Sequence, residues 1–109
     1  MKKLNDENNL SVGKVALVGL GRQGKNILRT LVELGHVVIP VLHTKDLERE
    51  KWLTENYPSV SYTYDVSSVL KDANVTHVCI ATPVETHAEI AKQYLRAGKA
   101  VFVEKSPVY

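Results

Sequence analysis

Gly19-Leu20-Gly21-Arg22-Gln23-Gly24 carries three glycines at the spacing G-x-G-x-x-G. Such a hexapeptide gains chemical meaning from its surroundings. It follows Lys14–Val18, a short β-branched and apolar run, and it opens Gln23–Leu34, where Ile27, Leu28, Leu31, Val32 and Leu34 share one helical face. A strand that turns through such glycines into a helix is the fingerprint of a dinucleotide-binding loop. Gly19 permits the tight turn, Gly21 lets a pyrophosphate approach the backbone, and Gly24 lets the helix pack on the strand. Free N–H groups at the positive helix end then meet the phosphates. Arg22 and Gln23 lie within the loop. Arg22 reads either as a phosphate ligand or as a solvated surface arginine.

A dinucleotide site of this kind usually carries Asp or Glu roughly 20 residues after the glycines, where it accepts from the ribose 2′-hydroxyl. Here the position is His43, followed by Thr44 and Lys45. Asp46 comes three residues late and reads as part of the first turn of the next helix. With no carboxylate in place, and with Thr44, Lys45 and Arg22 nearby, a 2′-phosphate is tolerated or preferred. The expected cofactor is NADP or NAD, with NADP favoured. The alternative is that His43-Thr44-Lys45 is only a strand–helix turn, with Thr44 as its cap.

The elements that must position these groups alternate along the chain. Val37–Leu42 reads as a buried strand in which Pro40 removes one ladder donor. Lys45–Asn56 fits a solvent-facing helix stopped by Tyr57-Pro58. Ser61–Tyr64 alternates like a short strand, and Asp65 is placed to cap a brief helix through Lys71. Thr76–Ala81 is a further buried strand. Thr86 and Glu89 have capping-box spacing at the head of a helix that ends at Gly98, and Ala100–Val103 is a last apolar strand. Five strands alternating with four helices imply an α/β fold: a doubly wound parallel sheet, Rossmann-like, in the order 3-2-1-4-5 with helices on both faces. Residues 1–13 read as a polar tail and 14–109 as one dinucleotide-binding domain.

In such a sheet the ligand lies beyond the carboxyl ends of the strands, at the switch point. Ala81-Thr82-Pro83 therefore forms the wall opposite the glycine loop, and Glu104-Lys105-Ser106-Pro107 faces the same side. With these blocks in place the sequence resembles the Gfo/Idh/MocA oxidoreductases. The resemblance rests on Val15–Gly24, on Val78–Pro83 with His87 beyond it, and on Gly98–Lys105. It implies a two-domain enzyme that moves a hydride between NAD or NADP and a sugar- or polyol-like substrate. It also implies that Thr82 and Pro83 line the nicotinamide ribose and ring, that His87 sits near the crevice, and that Glu104 and Lys105 match a Glu-Lys-Pro motif. In that motif Lys105 is the catalytic residue, near the site of hydride transfer. The chain reads Glu-Lys-Ser-Pro, so proline arrives one residue late.

Composition sets the outer bounds. With 109 residues, 44% hydrophobic and 24% charged, the chain has the length and make-up of one globular domain. A net charge of +2 with no evident basic cluster gives no case for nucleic acid or an anionic membrane as partner. The lone Cys79 cannot form an internal disulfide, and the histidines lack metal-ligand spacing, so no metal is expected. Without a transmembrane run or signal peptide, the reading is cytoplasmic. The family resemblance implies a further substrate domain beyond residue 109, so this chain alone should bind cofactor without turnover. The final strand is then an apolar sheet edge that invites self-association. The competing reading is a regulatory nucleotide-binding module without catalysis.

Overall fold

A computed structural model describes residues 13–43 and 45–103. Thr44, Glu104 and Lys105 lie outside these described residues, as do all but the last residue of the expected tail. The elements are β1 (Lys14–Val18), α1 (Arg22–Glu33), β2 (Val37–Val41), α2 (Leu47–Asn56), α3 (Val66–Lys71), β3 (Val75–Ile80), a single 3-10 turn (Val84–Thr86), α4 (His87–Arg96) and β4 (Ala100–Val103). All strand pairs are parallel, in the order β2-β1-β3-β4.

Among the described residues the sheet thus has four strands where the sequence led us to expect five. Ser61–Tyr64 is not a strand; only Thr63 makes a bridge, to Val41. Its N–H donates to the Pro40 carbonyl at 2.9 Å, and its own carbonyl accepts from Leu42 N–H at 2.8 Å. One step back along that ladder, residue 40 would have to donate to residue 61. Proline has no N–H, so the pairing stops there. The segment runs on beside β2 without zipping to it, and leaves a groove of about 490 Å³ lined in part by His36, Val38, Ser61 and Tyr62. Apart from that missing strand, the order is the one expected.

Side-chain alternation divides the core between the two faces of the sheet, as period-2 geometry requires. Ala16, Val18, Val41, Val78 and Ile80 pack with Val69 of α3 and Tyr94 of α4 on one face. Leu17, Val38 and Leu42 pack with Leu28 of α1 and Leu53 of α2 on the other. Ala16, Leu17, Leu28, Val78 and Ile80 are fully buried. A sheet covered on both faces explains why its strands read as continuous apolar runs.

Helix ends follow local chemistry, with two departures from expectation. Asp65 does cap α3, accepting from Ser68 N–H at 3.3 Å, and Gly35 closes the end of α1 at φ +89°. Asp46, however, stands before α2 as its N-cap, not within its first turn. Thr86 is helical in backbone and makes no side-chain cap. Its hydroxyl instead donates to the Pro83 carbonyl at 2.7 Å, because a 3-10 turn precedes α4 and consumes that group. Elsewhere, the buried Lys99 donates from Nζ to the Asp72 carbonyl at 2.8 Å, tying the α4–β4 turn to the end of α3.

Tyr94 is 1% exposed, and its hydroxyl has no hydrogen-bond partner among the described residues. Burial also pushes its phenol pKa upward. A buried polar group left unpaired loses its hydration without compensation. Tyr94→Phe is therefore expected to leave stability unchanged or raise it by about 1 kcal/mol, measured as the midpoint of urea unfolding. A loss of comparable size would show that the hydroxyl has a stabilising partner.

Candidate cofactor-binding site

The glycine loop lies at the carboxyl end of β1, and each glycine meets a separate constraint. Gly19 adopts φ +98°, and a Cβ there would lie 2.9 Å from the Ala81 backbone and from Cγ2 of Thr82. The turn after β1 is thus pressed against the turn after β3. Gly24 is buried in α1, where an added Cβ would overlap the carbonyl oxygen of Gly19. Gly21 differs. Beyond its chain neighbours, no atom lies within 4 Å of the position its Cβ would take.

That open space adjoins the head of α1. Gly21 is its N-cap, with no side-chain cap hydrogen bond and no acidic residue in the first turn. The first N–H groups of a helix lack intrahelical acceptors, and with the helix dipole they favour an anion. Arg22 is exposed and Gln23 half-buried at this end. A backbone cradle free of side chains beside uncapped N–H groups suits a pyrophosphate.

The facing wall is braced from within. Ala81 N–H donates to the Val18 carbonyl at 2.8 Å, which holds the β3 turn against β1. The Thr86 hydroxyl gives its hydrogen to Pro83, so the 2.7 Å contact between Thr82 Oγ1 and Thr86 Oγ1 has Thr82 as donor. His87 Nε2 lies 2.7 Å from the Thr82 carbonyl. A carbonyl only accepts, so Nε2 carries the proton. Thr82, Pro83 and His87 therefore form one hydrogen-bonded turn, with Pro83 exposed at its tip.

Beyond β2, His43 is exposed and Lys45 is exposed but engaged. Lys45 Nζ lies 3.3 Å from Glu50 and 5.8 Å from the centroid of the Tyr64 ring. Tyr64 donates its hydroxyl to Glu50 Oε2 at 2.5 Å, and its oxygen accepts from Asp46 N–H at 2.9 Å. The tyrosine bond is the main cause that holds the Glu50 carboxyl below its usual range; Lys45 adds to it. Arg49, through its backbone N–H first and its guanidinium second, does the same to Asp46. Sequence reasoning missed Arg49, Glu50 and Tyr64. The i, i+3 pair Asp46–Arg49 at a helix start was the one signal available; Tyr64 was read as a strand residue. Among the described residues no group of three side chains could hold a metal ion, and no helix is long and apolar enough to cross a membrane.

A parallel doubly wound sheet with a glycine cradle at the carboxyl end of its first strand defines a Rossmann-type dinucleotide-binding domain. Over residues 13–108 the chain matches the oxidoreductase family of Gfo/Idh/MocA type, NAD-binding Rossmann fold, and it belongs to that family. It is 30% identical over 92 residues to a 1-carboxy-3-chloro-3,4-dihydroxycyclohexa-1,5-diene dehydrogenase of Comamonas testosteroni, covering 84% of this chain and 23% of that one. It is 40% identical over 40 residues to an inositol 2-dehydrogenase of Rhizobium meliloti, covering 37% and 12%. Biliverdin reductase of Synechocystis sp. PCC 6803, solved with biliverdin and NADP+, superposes with a TM-score of 0.72 at 20% identity, covering 87% and 30%. That last likeness is one of fold. The chain spans 12% to 29% of the length of the curated relatives it matches.

Proposed function

We propose that this chain is the cofactor-binding part of an enzyme that transfers a hydride between a nicotinamide dinucleotide and a sugar- or polyol-like substrate, with NADP favoured over NAD. The observation that carries the reading is the side-chain-free cradle at Gly21 over the uncapped head of α1. Gly19, Gly21, Arg22, Gln23 and Gly24 would hold the pyrophosphate. His43, Thr44 and Lys45 would meet the adenosine ribose, where no carboxylate immediately follows β2. Ala81, Thr82, Pro83 and His87 would border the nicotinamide end, with Glu104 and Lys105 completing it.

When bound, the dinucleotide supplies the ring that accepts or donates the hydride. The chain's own residues supply anion binding, a fixed wall and, at Lys105, an amine that could orient a substrate hydroxyl or move its proton. The substrate class draws support from relatives whose names specify a dihydroxylated carbocycle and an inositol. Both names point to ring hydroxyls. Since the relatives are several times longer, most substrate contacts are assigned to a further domain, and this chain by itself should bind without turning over. The exposed Phe102 and Val103 on β4 support self-association of the isolated chain through that edge.

The test is a titration with NADPH and, separately, NADH. Trp52 fluorescence and calorimetry serve as readouts, since Trp52 lies on α2 with Lys25 Nζ of α1 over its ring, 4.6 Å from the centroid. Tighter binding of NADPH is expected. Preference for NADH would overturn the NADP assignment alone, and binding of neither at millimolar concentration would overturn the cofactor reading.

A further inference from the structure

Arg49 connects two parts of the site that are far apart in sequence. Its Nε donates to the Leu20 carbonyl, inside the glycine loop, at 3.0 Å. Its guanidinium also pairs with Asp46 Oδ2, while Asp46 Oδ1 accepts from the Arg49 backbone N–H at 3.1 Å. Both carboxylate oxygens are thus taken up by one residue. The loop that would hold the phosphates and the first turn of α2 share a single cation.

The position of that pair matters because Asp46 is the first carboxylate after β2. A free carboxylate beside an adenosine ribose accepts from its 2′-hydroxyl and repels a 2′-phosphate. A carboxylate bonded twice to arginine has its charge balanced and one lone pair of each oxygen engaged, which weakens both effects. Glu50, the next carboxylate on the inner side of α2, is similarly occupied by Tyr64 and Lys45. Glu48, by contrast, is exposed on the outer side.

We propose that Arg49 is a specificity-determining residue: by occupying Asp46 it removes the charge that would select NAD, and by holding Leu20 it keeps the phosphate loop in register with the ribose end of the site. The proposal rests on the dinucleotide reading above. It makes Asp46 a latent NAD-selecting group, exposed only when Arg49 is lost.

The decisive measurement is the ratio of NADPH to NADH dissociation constants, because a merely structural role would weaken both ligands together. Arg49→Leu should shift that ratio toward NADH by about tenfold, the effect of one unbalanced charge near the 2′-phosphate. Adding Asp46→Asn to that variant should return the ratio close to its original value, since asparagine keeps the N-cap without the charge. Equal weakening of both ligands in Arg49→Leu would overturn the proposal. Should that variant fail to fold, Asp46→Asn alone decides. It frees the guanidinium and should move the ratio several-fold toward NADPH; an unchanged ratio overturns the proposal. If the original chain binds neither ligand, the cofactor reading falls and takes this inference with it. If it binds both and neither variant moves the ratio, this inference falls alone.

Discussion

Gly24→Ala is expected to lower the stability of the chain by about 3 kcal/mol or more and to abolish measurable binding of either dinucleotide. Two effects compete at this position. Alanine in a helix interior is favoured over glycine by about 1 kcal/mol. Against that, its methyl group would lie well inside the 3.0 Å that real Cβ contacts essentially never cross, and the atom it meets is the Gly19 carbonyl. A flexible side chain could swing aside; this backbone oxygen belongs to a turn held at φ +98° and pressed against Ala81. Steric overlap wins. The melting temperature should fall by roughly 10 °C or more for a domain of this size, followed by circular dichroism. A shift within about 2 °C of the parent would mean that α1 can lift off β1 without penalty, and the role given to Gly24 would be wrong.

Gly21→Val should separate binding from folding. At Gly21 φ is −80° and ψ −157°, extended backbone open to any residue, and beyond its chain neighbours a new side chain's Cβ meets no atom within 4 Å. Valine is a poorer N-cap than glycine, which costs about 1 kcal/mol at most. The same side chain would fill the space over the first N–H groups of α1, where a pyrophosphate oxygen would sit. Charge-assisted hydrogen bonds contribute about 1.5–3 kcal/mol each. Excluding the anion from one or two of them should weaken NADPH and NADH alike by about a hundredfold. Calorimetry on a variant with near-parental melting would check it. Undiminished affinity would place the phosphates elsewhere, and the cradle at Gly21 would lose its assigned role. The pair of variants is informative because adjacent glycines of one motif are predicted to fail for different reasons.

The contrast between those glycines marks how much of the site could be read before the fold was known. Backbone chemistry is local. Gly19, Gly21 and Gly24 lie within six residues, so their tasks follow from φ, from ring-free access and from the first turn of one helix. The same holds for Asp65 capping α3 and Gly35 ending α1, since the partners lie within a few residues. Short continuous apolar runs assigned the buried strands, and right-handed crossovers then set their order.

The sequence by itself therefore determined the parallel α/β architecture and the glycine loop at the carboxyl end of its first strand, which is proposed to receive the phosphates. Tertiary structure decided what depends on partners distant along the chain. Ser61–Tyr64 alternates as a strand should, yet its pairing depended on a donor that Pro40 lacks, about twenty residues away. Thr86 has the right spacing for a capping box, but a preceding 3-10 turn took its hydroxyl. Asp46 looked like a residue that came too late to matter. Its partner Arg49 reaches across 29 positions to Leu20, and that contact adds to the packing of Leu53 with Leu20 that holds α2 against the glycine loop. Short-range constraints are written in residue order, whereas hydrogen-bond competition is resolved only when every donor and acceptor has been brought into reach.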